Sequence, residues 1–156
     1  MLINLIIVFI CSLFFNCNDE TIIMKIYFYN SGSRSDINLK KIDLKETEGI
    51  IKELIAGTSE IMRSYVDEEG LNNIRSAESA VEIFYNELLT INSEELGELK
   101  FKKIFIPLTG DYSGTEKSPV ATIFIGEEEY VSNPFRNLQG FPLVKKLQEK
   151  IIALNN

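Results

Sequence analysis

The chain has 156 residues, of which 45% are hydrophobic and 25% are charged, so it is long enough and apolar enough to form one folded domain with a core. It contains no histidine, which excludes Ser-His-Asp and Cys-His catalysis and the common histidine-based zinc sites. The net charge of −7 argues against nucleic-acid binding, because contact with phosphates needs a basic surface.

The first eighteen residues carry no charge and are almost entirely apolar. The apolar run over residues 1–15 is shorter than the roughly 18 residues that a membrane-spanning helix needs. Polar residues follow it directly. This position and length are typical of the apolar core of a secretory signal peptide.

The sequence LFFNC ends this apolar run at Cys17. It resembles the lipobox of bacterial lipoproteins, in which the cysteine is acylated and becomes the mature N-terminus. It departs from the usual motif at Asn16, where a small residue is common, and the first basic residue of the chain is Lys25. The resemblance implies an export signal peptide at residues 1–16, a tether at residues 17–21 and lipid attachment at Cys17.

Three other interpretations of this segment stay open: an ordinary signal cleaved elsewhere, an uncleaved membrane anchor, and an upstream extension with Met24 as the true start. The two cysteines, Cys11 and Cys17, both lie in the segment. Cleavage before Cys17 leaves one cysteine and acylation consumes its thiol, so the mature chain has no free thiol. We therefore expect residues 22–156 to fold as a single domain without a disulfide.

The first elements of this domain follow from local composition. Residues 21–30 are β-branched and aromatic and predict a strand. Residues 31–36 predict a turn, and residues 37–39 a second short extended piece. Asp43 and Glu46 then have the spacing of a capping box, in which the first side chain caps a helix and the second reaches back.

The apolar residues after Asp43 recur at steps of three, four and seven up to Tyr65, which predicts one amphipathic helix. Gly57 lies in the middle of this predicted helix and weakens it by about 1 kcal/mol relative to Ala. Residues 67–70, DEEG, predict its end. Apolar residues within 71–77 indicate a further short turn of helix.

Three more strands are predicted over residues 80–86, 101–108 and 119–126. Pro142 suits the first turn of a closing amphipathic helix. Helices separated from a run of consecutive strands indicate an α+β fold. We predict a mainly antiparallel sheet of about four strands, with the N-proximal and C-terminal helices on one face.

The polar motifs do not predict catalysis. Residues 110–118 lack the spacing of a phosphate-binding loop and precede a strand instead of a helix. Residues 127–129, EEE, lack the alternating acids and the glycine of a calcium loop. Glu82 and Glu87 lack the placement of a glycosidase pair. We therefore expect a protein that is not an enzyme and that needs neither a metal nor a cofactor.

Acidic residues are unevenly distributed along the chain. Residues 43–98 contain fourteen acids and four bases, which is a local charge of −10. Such clustering keeps a domain soluble, and it also favours the approach of a basic protein partner.

Two loops that combine aromatic and polar residues, at 111–112 and 130–137, are the best candidates for a contact surface. Tyr and Arg are favoured as interface anchors, although such loops also pack simply against a sheet. We expect both loops to lie at one end of the sheet. The predicted contact residues are Asp111, Tyr112, Tyr130, Asn133 and Arg136.

Together these patterns predict an exported lipoprotein, anchored in the bacterial cell envelope by an N-terminal lipid and facing the periplasm or the exterior. Its folded domain is expected to bind a ligand or partner rather than to catalyse a reaction. The alternative is an acidic inhibitor or immunity-type lipoprotein that neutralises a basic toxin or enzyme.

The lipid anchor is directly testable. In a bacterium fed a fatty-acid analogue, the wild-type chain is expected to take up label and to remain with the membranes. Cys17→Ala should take up no label, because the acylated thiol is gone, and any correctly cleaved product should be released into the soluble fraction. Fractionation and in-gel detection of the label measure both effects. A wild-type chain without label would contradict the lipoprotein interpretation.

Overall fold

The computed structural model describes residues 23–155. The predicted signal peptide, the tether and Cys17 lie outside these residues. In chain order the described elements are β1 (Ile23–Asn30), β2 (Ser33–Asp36), α1 (Leu44–Ala56), β3 (Glu60–Ile61), α2 (Glu68–Ala77), β4 (Ser79–Ser93), β5 (Gly97–Pro107), β6 (Ala121–Gly126), β7 (Phe135–Asn137) and α3 (Phe141–Asn155).

The strands form one sheet of seven in the order β2-β1-β4-β5-β6-β7-β3, and every neighbouring pair is antiparallel. The predicted α+β class and antiparallel sheet are confirmed, but the predicted number of about four strands is wrong. The four predicted strands are the contiguous centre of the sheet, β1-β4-β5-β6. The three missed strands have four, two and three residues, which is too short for a periodic pattern to show.

The two faces of the sheet are covered differently. Ile104 and Ile106 of β5 belong to the larger apolar cluster, together with residues of α1 and α3. Phe105, between them, points to the other face and belongs to a smaller cluster with Leu71 and Ile74 of α2. The N-proximal and C-terminal helices therefore share one face, and α2 covers the opposite one.

Two predicted boundaries of helices are wrong. The helix that begins after Asp43 ends at Ala56, with Gly57 as its C-cap, and does not continue to Tyr65, because the chain leaves it to pair β3 with β7. Asp67 begins a helix instead of ending one, since its Oδ1 accepts a hydrogen bond from the amide of Gly70 at 2.9 Å.

The predicted cap at Asp43 is present, with Oδ1 accepting from the amide of Glu46 at 2.9 Å. The carboxylate of Glu46 does not bond to the amide of Asp43, however, as a complete capping box would require. It pairs with Lys146 at 3.1 Å and with Lys150, and so joins α1 to α3.

The predicted strand at residues 37–39 is also misplaced, because β2 lies earlier, in the segment predicted as a turn.

The β4–β5 hairpin bends over the end of α1. Phe84 pairs with Lys103 and Leu89 with Phe101, so β4 has extra residues at this point. A bulge of this kind redirects a strand. Beyond it, Ser93 Oγ donates to the carbonyl of Thr58 at 2.5 Å, which fixes the tip of the hairpin against the residues after the helix.

Substitution of the glycine that caps α1, compared with substitution of the glycine within α1, tests where the helix ends. Gly57→Ala is expected to destabilise the protein by about 1–3 kcal/mol, because the new Cβ would lie 2.5 Å from Asn137 Nδ2. The matched control is Gly49→Ala, where nothing lies within 4 Å and a gain of about 0.5–1 kcal/mol is expected. Urea denaturation measures both. Equal stabilisation by the two changes would contradict this end of the helix.

Candidate functional site

A cleft of about 430 Å³ opens on the face that α2 covers. It lies between α2, the loop before it, and the connection that follows β6. Two basic residues, Arg75 and Lys103, line it. Five acids line it as well: Asp67, Glu68, Glu82, Glu128 and Glu129. We call it the acidic cleft.

Glu82 is the buried carboxylate of the cleft, and its residue is only 5% exposed. It lies on β4 between Val81 and Ile83, which point into the larger apolar cluster, so its own side chain points to the α2 face. Glu82 Oε2 accepts a hydrogen bond from the Tyr29 hydroxyl at 2.7 Å, and Oε1 accepts one from the Tyr130 hydroxyl at 2.7 Å.

Arg75 supplies the third donor to this carboxylate. Its Nη2 donates to Glu82 Oε1 at 2.9 Å, and its Nη1 donates to Glu68 Oε1 at 2.6 Å. The guanidinium also lies 5.2 Å from the ring centre of Phe105 and 5.6 Å from that of Tyr29. Arg75 thus bridges two carboxylates over aromatic rings and joins α2 to the sheet.

The two phenols act as hydrogen-bond donors at neutral pH. Burial, with a further contribution from the hydrogen bond to Glu82, raises the pKa of Tyr29 to about 12. Burial also raises the pKa of Tyr130, and the charge of Glu82 acts in the same direction. Both hydroxyls therefore keep their protons, and the carboxylate between them is held by two neutral donors and one cation.

The carboxylates at the rim of the cleft, those of Asp67, Glu128 and Glu129, have fewer partners than the buried carboxylate of Glu82. Within residues 23–155, no Lys or Arg forms an ion pair with Asp67, Glu128 or Glu129. The ammonium of Lys103 is 4.4 Å from the ring centre of Tyr130 and donates to a main-chain carbonyl. Because Asp67 caps α2, Glu128 and Glu129 are the rim carboxylates whose charge has no partner among the described residues, and such charges attract a cation.

Apolar side chains are exposed beside these carboxylates. Tyr65 is 70% exposed and Val131 is 48% exposed. The amide of Val66 donates to the carbonyl of Ser132 at 2.8 Å, which places the backbone of the loop before α2 beside that of the connection after β6. Tyr is one of the residue types that are favoured as interface anchors.

Three of the predicted contact residues line a second pocket, of about 440 Å³. Asp111 and Tyr112 reach it from the β5–β6 connection, and Arg136 reaches it from β7. Arg136 Nη1 is 3.2 Å from Glu60 Oε2, which ties this pocket to β3.

The other two predicted residues lie elsewhere. Tyr130 belongs to the acidic cleft, and Asn133 Nδ2 donates to the carbonyl of Met62 at 3.2 Å. The two loops do not meet as whole segments at one end of the sheet: Arg136, at the end of the second loop, lines the same pocket as Asp111 and Tyr112, whereas Tyr130 lies at the other end of β6. They share a face instead, where Tyr112 packs on Phe124 and Tyr130 on Phe105.

The sequence reasoning missed the buried network of Tyr29, Arg75 and Glu82. The sequence analysis considered Glu82 only as a member of a possible glycosidase pair. One signal was present: residues 104–106 of β5 are apolar at consecutive positions, which predicts a strand buried on both faces. A carboxylate on the neighbouring strand then needs a buried partner.

Comparison of the chain with models of protein families, with curated proteins and with solved structures finds no match. Within residues 23–155, no group of three or more acidic or cysteine side chains is placed to hold a metal ion. In the same part of the chain, no helix is both long enough and apolar enough to cross a membrane.

The network is expected to contribute strongly to stability. Glu82→Ala should lower the free energy of unfolding by about 3–5 kcal/mol, because it deprives a largely buried guanidinium and two buried hydroxyls of their acceptor. The control is Glu60→Ala, which removes an exposed pair with Arg136 and should cost at most about 1 kcal/mol. Chemical denaturation of both variants measures the difference, and equal losses would contradict this role for Glu82.

Proposed function

We propose that this chain is a lipid-tethered, non-catalytic binding protein of the bacterial cell envelope whose folded domain captures a basic protein partner. The observation that carries the proposal is the acidic cleft, in which Asp67, Glu128 and Glu129 have no ion-pair partner among the described residues and Tyr65 is exposed beside them. Unbalanced carboxylates beside an exposed aromatic ring suit a basic protein surface.

The tether is supported by the lipobox-like sequence that ends at Cys17. Five residues separate Cys17 from Ile23, where β1 begins, so a fully extended linker of six residue steps spans at most about 20 Å. A domain on so short a linker stays next to the membrane that holds its lipid. Its partner is then a protein that resides in the envelope or passes through it.

Binding rather than catalysis is supported by the state of the central carboxylate. Glu82 accepts hydrogen bonds from Tyr29, Tyr130 and Arg75, and these donors hold it in place. A general acid or base must exchange a proton with a substrate, whereas this carboxylate is turned inward to its own neighbours. The network forms a fixed wall of the cleft.

An inhibitor or immunity-type role is the more specific form of this proposal. It is favoured by the charge of −10 over residues 43–98 together with the acidic rim, because strong charge complementarity speeds the capture of a basic toxin or enzyme. Such a protein blocks its partner at one-to-one stoichiometry. A scavenging or scaffolding module binds the partner without changing its activity.

The experiment is proximity labelling from the full-length chain in its own envelope, followed by purification of the labelled protein and titration at two salt concentrations. We expect a basic partner that is labelled by the wild-type chain and not by Cys17→Ala, and whose affinity falls as salt rises, because exposed charges are screened. An acidic partner, or an affinity independent of salt, would contradict the proposal.

A further inference from the structure

The second pocket, of about 440 Å³, differs from the acidic cleft in the chemistry of its lining. Of the charged residues only Arg136 and Asp111 line it, and Arg136 is already paired with Glu60. Its lining is otherwise rich in aliphatic hydroxyl groups, those of Ser64, Thr115, Ser118 and Thr122. We call it the hydroxyl pocket.

Thr122 supplies a buried hydroxyl without a partner to this pocket. The residue is only 4% exposed, and within residues 23–155 its hydroxyl forms no hydrogen bond. Ile123 belongs to the larger apolar cluster and Phe124 to the smaller one, so Thr122 points to the face of Phe124, where the pocket lies. A buried hydroxyl normally has a hydrogen-bond partner, which indicates that a ligand supplies it.

Arg136 lies beside this hydroxyl and has unused donors. Thr122 and Arg136 are directly paired across β6 and β7, so their side chains are neighbours on one face of the sheet. The guanidinium donates to Glu60 through Nη1, at 3.2 Å, and forms no other hydrogen bond within the described part of the chain. A ligand atom near Thr122 is therefore also within reach of an N–H donor.

The wall formed by the β5–β6 connection is fixed by its own hydrogen bonds. Ser113 Oγ donates to the carbonyl of Gly110 at 2.9 Å. The amide of Thr122 donates to the carbonyl of Tyr112 at 2.8 Å, which holds this wall against β6. A ligand therefore meets a preformed pocket and does not have to order the connection.

Asp111 is kept in this pocket at an electrostatic cost. The Cα of Gly110, the preceding residue, lies against the carboxylate of Glu78, since a Cβ there would be 2.0 Å from Glu78 Cδ. Burial and the nearby charge of Asp111 raise the pKa of Glu78, and Glu78 Oε2 has no hydrogen-bond partner. Two neighbouring carboxylates oppose folding, so Asp111 contributes an acceptor to the pocket rather than stability to the fold.

The mixture of donors and acceptors decides what the pocket accepts. An anion is repelled by Asp111, and a cation is repelled by Arg136. An apolar ligand would leave the hydroxyl of Thr122 without a partner. A ligand hydroxyl both donates and accepts, so it suits Asp111, Arg136 and Thr122 alike.

We propose that the hydroxyl pocket binds a sugar unit, with neighbouring ligand hydroxyls on Thr122 and Arg136, a further one on Asp111, and the apolar face of the ring toward Tyr112. This inference goes beyond the proposed function, because it concerns a different pocket and a different class of ligand.

The test uses the full-length chain, in a detergent without a sugar headgroup, and the methyl glycosides of glucose, galactose, mannose and N-acetylglucosamine. Amide chemical shifts in nuclear magnetic resonance report binding. At least one glycoside is expected to shift the signals of Tyr112, Thr122 and Arg136, with a Kd of about 1 mM, which is ordinary for so small a ligand. Cyclohexanol, inorganic phosphate and glycine should leave these signals in place, because they are a ring with one hydroxyl, an anion and a zwitterion.

The tetrasaccharide of the bound sugar distinguishes two sources of the same chemistry. Tighter binding of the tetrasaccharide would assign the pocket to one unit of a glycan chain. Binding of the methyl glycoside without binding of the tetrasaccharide would assign it to a free sugar.

Matched threonine variants locate the site. Thr122→Val keeps the shape of the side chain and should weaken binding of the glycoside about tenfold, without lowering the urea midpoint, because the hydroxyl has no partner among the described residues. The control is Thr47→Val, which removes another buried hydroxyl, one that donates to the carbonyl of Asp43 at 2.7 Å. It should lower the urea midpoint and leave binding unchanged. Asp111→Ala, at an exposed position, should weaken binding without loss of stability.

Four results would overturn the inference. These are unchanged signals with all four glycosides, equally tight binding of phosphate or glycine, wild-type affinity in both pocket variants, or a urea midpoint of Thr122→Val lowered as far as that of Thr47→Val, which would make its hydroxyl structural. None of them contradicts the proposed function, whose test is the charge and salt dependence of a partner identified in the envelope.

Discussion

A buried carboxylate with three hydrogen-bond donors holds together four segments of this domain whose relative positions hydrophobic contacts alone would not fix. Glu82 lies on β4, Tyr29 on β1, Arg75 on α2, and Tyr130 in the connection after β6. Burying these charges costs several kcal/mol per ion, and only good hydrogen-bond geometry offsets that cost. The network therefore favours one relative placement of these segments, and this placement defines the acidic cleft.

The two faces of the sheet differ in the kind of force that orders them. The face under α1 and α3 is an ordinary apolar core, and hydrophobic burial is not directional. The face under α2 combines a smaller apolar cluster with the ionic network. Hydrogen bonds impose distances and angles that apolar contacts do not, so the face with the network fixes the relative positions of its side chains more closely than the apolar face does.

Much of the fold could be predicted from local patterns, and the errors have a common cause. The four central strands, the cap at Asp43 and the closing helix α3 all depend on composition and periodicity within a short window. The end of α1 at Gly57 and the strands β3 and β7 depend on a partner elsewhere in the chain. A two-residue strand such as Glu60–Ile61 exists only because β7 lies beside it, and no local pattern contains that information.

The sequence by itself determined the acidity of the domain, its lack of histidine and the lipobox-like motif that ends at Cys17, because these are properties of composition and of contiguous residues. It also placed Tyr130 among the candidate contacts. Only the tertiary structure decided that Tyr130 shares a cleft with Arg75 and Glu82, residues that are 55 and 48 positions away along the chain. These three residues come together because the strands pair antiparallel and because α2 packs on this face of the sheet. Strand pairing and helix packing are both set by contacts between residues distant in sequence.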